Sequence, residues 1–237
     1  MEATRPTTVL ATRAIDLGTW NLRIMYETGK TAQVPAKMRN HKLSLLGIRE
    51  TRWTQAGQKG LNSGQMLLYS GHEKEDGPRT QGVALMLSKT AQRAFIGWEA
   101  HGPRIITASF QTKKRRINMN VIQCYAPTND SKDEDKDQFY NRLQSVIDTS
   151  PEGDVTVLMG DLNAKIGSDD NGYEEVLGQY GLGEMNDNGE RLADVCSQQG
   201  GRTWLSVSPP RDSQGEMDIA RPIDRESDRS QIGRAHV

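Results

Sequence analysis

Val155-Thr-Val-Leu-Met-Gly-Asp-Leu-Asn163 decides how this chain is read. Four of the five residues before Gly160 are apolar, and two of those are valine. Such a run predicts a strand buried on both faces. Its polar groups come at the end rather than in the middle, and strand ends are where a parallel or mixed sheet meets ligands. If strand geometry persists to the tip, Asp161 and Asn163 point to the same side, because side chains alternate with period two. A carboxylate beside an amide can orient a water and hold a phosphate oxygen. The competing reading is a capped turn, since Asp and Asn are common turn formers.

Working outward, two earlier runs share this design. Ile15 to Asn21 reads as a strand ending on Asn21 and then Arg23. Leu43 to Glu50 reads as a second apolar strand, again with its acid at the end. Ile105 to Thr112 and Ile117 to Ala126 read as two strands joined at Lys113-Lys-Arg-Arg116. Ile117, Met119 and Val121 alternate with Asn118 and Asn120, as in a half-buried strand. That strand runs to Tyr125 and is ended by Pro127. Met66 to Ser70 and Gly82 to Leu87 are shorter strands, separated by a polar stretch with a Gly77-Pro78 turn.

Helices are fewer. Lys132 to Ile147 carries Phe139, Leu143, Val146 and Ile147 as one apolar stripe, with Asp133, Glu134 and Asp135 at its start, where the helix dipole favours negative charge. A weaker helix spans Val34 to His41 and starts near Pro35, since proline is tolerated in a first turn. Ser168 to Gly189 reads as a Gly- and Asp-rich loop. Glu190 to Gln199 reads as a short helix with Leu192, Val195 and Cys196 on one face. Residues 211–237 hold 11 charged side chains in 27 and no apolar periodicity, so no strand is expected there.

Composition narrows the function. The 237 residues suffice for one large domain. A net charge of −1 means that a nucleic-acid partner needs a local basic face. Two cysteines, Cys124 and Cys196, make no disulfide framework and fit a reduced compartment. No apolar run approaches membrane-spanning length and Met1 to Arg13 lacks a signal-peptide core, so a nuclear or cytoplasmic, non-secreted protein without a membrane partner is expected.

Three strand ends thus present Asn21, Glu50, and Asp161 with Asn163, and a fourth presents the phenol of Tyr125. As one rim they offer carboxylate and amide oxygens, which hard Mg²⁺ prefers. Taken singly, Glu50 also reads as a surface acid flanked by Arg49 and Arg52, Asn21 as a turn residue and Tyr125 as core. Lys113 to Arg116 reads as a DNA contact or a nuclear signal, and equally as a solvated hairpin tip.

Thr19-Trp-Asn-Leu-Arg23, Leu46-Gly-Ile-Arg-Glu-Thr-Arg-Trp53, Gln81-Gly-Val-Ala84, Gln123-Cys-Tyr-Ala-Pro-Thr128 and Gly160-Asp-Leu-Asn-Ala164 occur in that order. This series resembles the endonuclease/exonuclease/phosphatase superfamily. Within it, the chain looks like the endonuclease domain of RTE-like non-LTR retrotransposons and the craniofacial development protein 2-like proteins related to them. The likeness covers about Ile15 to Gln199, and Asn188-Gly-Glu-Arg-Leu192 followed by Cys196 extends it. It implies an α/β fold, a four-layer sandwich of two packed mixed sheets flanked by helices. It implies a metal-dependent DNA endonuclease with Mg²⁺ (alternatively Mn²⁺) on Glu50 and Asn21. Asp161 would activate water, Asn163 would bind phosphate and position Asp161, and Tyr125 would contact the scissile phosphate. The product would be a nick with a free 3′ hydroxyl, used by a reverse transcriptase domain downstream in the parent element. Two other readings remain: a non-catalytic binding protein on the same fold, and a superfamily phosphatase or phosphodiesterase with a small substrate.

The chain departs from that pattern at its end. No Ser-Asp-His closes it; Ile223-Asp224 and Ser227-Asp228-Arg229 are almost adjacent, with Arg229 where His is wanted. Ile232-Gly-Arg-Ala-His-Val237 matches what a common sequencing-library adapter encodes in one frame. The expected organisation is a disordered leader over 1–13, an incomplete domain over 14–201 lacking its last strands, and an irregular, non-native tail over 202–237.

Overall fold

A computed structural model describes residues 16–21, 33–74, 81–114, 116–165 and 184–198, with backbone alone for Asn21, Gln33, 203–207 and 217–220. The apolar strands assemble into two mixed sheets. The six-stranded sheet contains β1 (Leu17–Asn21), β2 (Leu45–Arg49), β3 (Ala56–Gly60), β4 (Met66–Ser70), β5 (Val83–Leu87) and β11 (Met217–Ala220), in the order β11-β1-β2-β5-β4-β3. The five-stranded sheet contains β6 (Phe95–Ala100), β7 (Ile105–Gln111), β8 (Asn118–Tyr125), β9 (Val155–Asp161) and β10 (Thr203–Val207), in the order β10-β9-β8-β7-β6.

Alternation along each strand builds four layers. Leu45 of β2 and Val157 and Met159 of β9 face the seam between the sheets, where they pack with Leu85, Phe110 and Val121. Leu46 and Ile48 turn the other way, onto Val34 and Met38 of α1 (Gln33–Asn40). Leu158, Ile122 and Cys124 likewise turn away from the seam, onto Phe139, Leu143, Val146 and Ile147 of α3 (Asp133–Asp148). Leu192 and Val195 of α4 (Asp187–Ser197) join that outer layer. Burying each such aliphatic side chain contributes about 1.5–3 kcal/mol before entropy is counted.

β9 is buried through its centre, as expected of a strand covered on both faces. β8 is half-buried only at its start; from Val121 to Cys124 every residue is buried, because the outer face lies under α3. Glycine is required at one point in this pair. Gly160 has φ +128°, and a Cβ there would stand 1.9 Å from the Cys124 carbonyl oxygen.

Several elements depart from the sequence reading. β3, the short helix α2 (Lys89–Ala94) and β6 have no counterpart in it. β3 is an exposed edge strand with no apolar residue beyond Ala56, so it carries no periodic signal. The helix expected from Glu190 begins at Asp187, because the Asn186 side chain accepts from Gly189 N at 2.9 Å and caps it. No strand was expected over 211–237, but β11 there runs antiparallel to β1, and β10 runs parallel to β9. There the open hydrogen-bonding edges of β9 and β1 outweigh the polar composition around them. The leader 1–13, the Gly77-Pro78 turn, most of the 168–189 loop, Ile223-Asp224 and 227–237 lie outside the described residues.

Candidate active site

The two sheets meet at one end of the seam, and the alternation decides which side chains arrive there. Along β2, Leu45, Gly47 and Arg49 face the seam; along β8, Val121, Gln123 and Tyr125; along β9, Val157, Met159 and Asp161. Register aligns the strand tips, with Tyr125 opposite Asp161 and Asn21 opposite Arg49. Arg49 Nη1 reaches across the seam to Asp161 Oδ2 at 2.5 Å. This is an ion pair without hydrogen-bond alignment: Arg49 Nη1 and Nε are both buried, and among the described residues neither has a hydrogen-bond acceptor.

Glu50 follows directly, at φ +57°. That left-handed residue ends β2 and turns the chain, and its carboxylate meets the Tyr125 hydroxyl, which donates to Oε1 at 3.4 Å. Non-glycine residues in this region are strained by about 1–3 kcal/mol, and such strain concentrates at functional sites. Burial first, then the charges of Glu50 and Asp161, push the Tyr125 phenol above its ordinary value, against Arg104 and Arg49. Tyr125 is therefore a neutral hydrogen-bond donor near neutral pH, not a phenolate nucleophile. The Arg104 guanidinium sits 5.3 Å over the Tyr125 ring and donates to the Tyr125 carbonyl at 3.0 Å.

The β9 tip does not keep strand geometry, which corrects the expected common side for Asp161 and Asn163. Asn163 has φ +49°, and its backbone N–H donates to Asp161 Oδ1 at 2.9 Å. Its side-chain amide donates back to the Ala126 carbonyl at 2.9 Å, while Ala126 N donates to the Asp161 carbonyl at 2.8 Å. Turn and rim readings thus coincide: the turn chemistry fixes the carboxylate in place.

A clamp beneath the turn holds it. Asn186 and Asn188 both donate side-chain amides to the Asn163 carbonyl, at 3.0 and 3.4 Å. Asn188 also donates to the Pro127 carbonyl at 3.0 Å, and the Tyr140 hydroxyl reaches the carbonyls of Leu162 and Asn188. α4 supplies these amides, and Lys136 fixes its start. The Lys136 ammonium is 2.8 Å from Asp187 Oδ2 and 2.9 Å from Asp133 Oδ1.

Glu50, Tyr125, Asp161 and Asn163 are therefore gathered at one end of the seam. Asn21 ends the neighbouring strand, and only its backbone is described. The sequence reading missed Arg49, Arg104, Asn186 and Tyr140. The period-two pattern Leu45-x-Gly47-x-Arg49 carries the signal for Arg49, because it puts that arginine on the seam face. Lys113, Lys114 and Arg116 lie at the opposite end: seven residue steps of β8 separate Asn118 from Tyr125, on the order of 23 Å. Among the described residues, no cluster of three or more His, Cys, Asp or Glu side chains could hold a metal, and no helix is long and apolar enough to cross a membrane.

No family model matches the chain. Craniofacial development protein 2 of Tragulus javanicus is 37% identical over 180 residues, covering 76% of this chain. The chain spans about 30% of that relative's length. Among solved structures, the endonuclease domain of TRAS1, a telomere-specific non-LTR retrotransposon, aligns with a TM-score of 0.52 at 16% identity, over 78% of this chain and 72% of that one. The catalytic domain of Xenopus laevis APE2 aligns with a TM-score of 0.50 at 14% identity, over 75% and 66% of the two chains. The two packed mixed sheets, the order of the motifs along them and these likenesses agree: the chain is an endonuclease/exonuclease/phosphatase-fold protein similar to craniofacial development protein 2.

Proposed function

We propose that this chain is a hydrolase of nucleic-acid phosphodiester bonds, a metal-dependent DNA endonuclease that nicks its target as a retrotransposon endonuclease does. The observation that carries this reading is the convergence of Glu50, Tyr125, Asp161 and Asn163 from separate strand ends onto one rim. A phosphodiester resists attack through its own negative charge, so fixed donors and cations must offset charge in the transition state.

The Glu50 carboxylate would hold Mg²⁺ or Mn²⁺, which prefer such hard oxygen donors, and Asn21, at the neighbouring strand end, is the residue type for a second ligand. When bound, the ion would supply Lewis-acid stabilisation of phosphoryl charge. The chain's own residues do the rest. Asp161 accepts a proton from the attacking water; among the described residues Asn163 N and Arg49 engage it, leaving lone-pair positions of its roughly four for that proton. Tyr125 donates its phenolic hydrogen toward a phosphate oxygen. Asn163 keeps Asp161 oriented through its backbone N–H. Water adds to phosphorus, the P–O3′ bond breaks, and the nick carries a 3′ hydroxyl and a 5′ phosphate. A nuclear or cytoplasmic location follows from a DNA substrate.

Conversion of supercoiled plasmid to open circles with Mg²⁺ or Mn²⁺ tests this. The chain is expected to nick, and Asp161→Ala and Glu50→Ala each to slow nicking by about 10²–10⁴-fold, the range for a lost acid–base or electrostatic group. Absence of nicking with either metal, or nicking that survives both substitutions, would overturn the reading.

A further inference from the structure

Arg49 carries features that the fold does not require. It is 8% exposed, at the seam mouth beside Glu50. It pairs with Asp161, and among the described residues two of its buried nitrogens, Nε and Nη1, have no hydrogen-bond acceptor. Buried donors are rarely left unmatched without a use. Leu45 and Gly47 precede it on the same apolar face, so an aliphatic side chain would simply extend the inter-sheet core. What stands there instead is a permanent cation with spare N–H groups, between two carboxylates and a neutral phenol. Guanidinium groups of this kind suit phosphate oxygens, which accept several charge-assisted hydrogen bonds at once.

We propose that Arg49 binds the nucleic-acid phosphodiester: in the free protein its guanidinium rests on Asp161, and backbone phosphate oxygens take up its unmatched N–H groups. This deepens the nuclease reading and rests on it. It also gives the Arg49–Asp161 pair a purpose, because the phosphate draws off the cation and leaves Asp161 Oδ2 open to water. An arginine that only positioned Asp161 would matter for turnover and not for DNA affinity without metal.

Fluorescence anisotropy with a labelled 20-base-pair duplex in EDTA, between 50 and 200 mM salt, separates the two. Arg49→Gln is expected to bind about tenfold more weakly, with a log–log salt slope smaller by about 0.9, the loss of one phosphate contact. Arg49→Lys should keep the slope while binding a few-fold more weakly, and it maintains the test if the glutamine variant fails to fold. Arg93→Gln, an exposed charge on α2 at the opposite end of the molecule, should bind within about twofold of the unaltered chain. Asp161→Asn should bind several-fold more tightly, and that gain should vanish in the Arg49→Gln background. Unaltered affinity and slope in Arg49→Gln, or an equal loss in Arg93→Gln, overturns the role of Arg49 alone. A duplex that the unaltered chain itself does not bind overturns the nuclease reading and Arg49 with it.

Discussion

Lys136 and Arg49 are both buried cations facing aspartates, 2% and 8% exposed, and the chain treats them in opposite ways. Lys136 has three partners for its three N–H groups: the Asn129 carbonyl, Asp133 and Asp187. Among the described residues Arg49 has one ion-pair partner and two nitrogens with no hydrogen-bond acceptor. Lys136 joins α3 to α4 and so fixes the amides that clamp the Asn163 turn. Arg49 joins the tips of the two sheets and leaves donors unused beside Glu50. The matched cation holds two helices together, and the half-matched one is the group that the proposal assigns to a phosphate.

The largest stability effect is expected at the matched cation. Lys136→Met removes all three interactions and loosens the start of α4, so it should give the greatest loss of Tm among these variants by circular dichroism. An unchanged Tm would dissolve the contrast. The pH dependence carries its own sign. Hydrogen bonds to Asp187 and Asp133 raise the Lys136 pKa, so its contribution is fully present below its ordinary 10.5 and lost as pH rises through the raised folded value. The Lys136 hydrogen bond lowers the Asp187 pKa, so that contribution is present above 3.8 and lost as pH falls through the depressed folded value. The Tm difference between Lys136→Met and the unaltered chain should therefore stay constant from about pH 5 to 9 and shrink at both extremes.

An intermediate effect is expected at Asn188, where structure hands over to the site. Its side chain is fully buried and its amide serves the Pro127 and Asn163 carbonyls. Asn188→Ala leaves both with fewer donors, a cost of about 1–3 kcal/mol, worth several degrees of Tm at about 2–4 °C per kcal/mol. Nicking should fall further than the stability loss explains at a temperature where the variant stays folded, since Asn163 is no longer held at φ +49°. Nicking at the original rate would mean that the Asp161–Asn163 turn holds itself.

The same contrast explains what was legible in the sequence. The β2 and β9 tips could be read because an apolar run there ends on polar groups, and the β8 tip because its alternation stops at Pro127. Glu50, Tyr125, Asp161 and Asn163 were found that way, and the structure brings them together. Arg49 was hidden by Arg52 and Glu50, which made a charged cluster resemble a solvated flank; only the register of Leu45 and Gly47 separates it. Asn186 and Tyr140 were hidden because their partners are backbone carbonyls far along the chain, and a carbonyl leaves no mark in a sequence. β3, with glycines, Gln58 and Lys59 on an exposed edge, has no pattern to read.

The smallest effect on stability is expected at Arg49, and it sharpens the comparison most. Arg49→Met removes two unmatched buried donors and places an apolar side chain where Leu45 and Gly47 already face the seam. Asp161 is not orphaned, because its side chain is 23% exposed and Oδ1 still takes the Asn163 N–H. Replacing one side of a buried pair usually costs about 3–5 kcal/mol, chiefly through the charge left behind; with that charge in reach of water, the change in urea-unfolding free energy should lie within about 1 kcal/mol of zero. DNA affinity without metal should fall all the same, so stability and binding part company at this residue and move together at Lys136. A loss of several kcal/mol in Arg49→Met would instead make Arg49 a second structural cation. Any fall in DNA binding would then report a damaged rim, and the unmatched nitrogens would lose their claim on a phosphate.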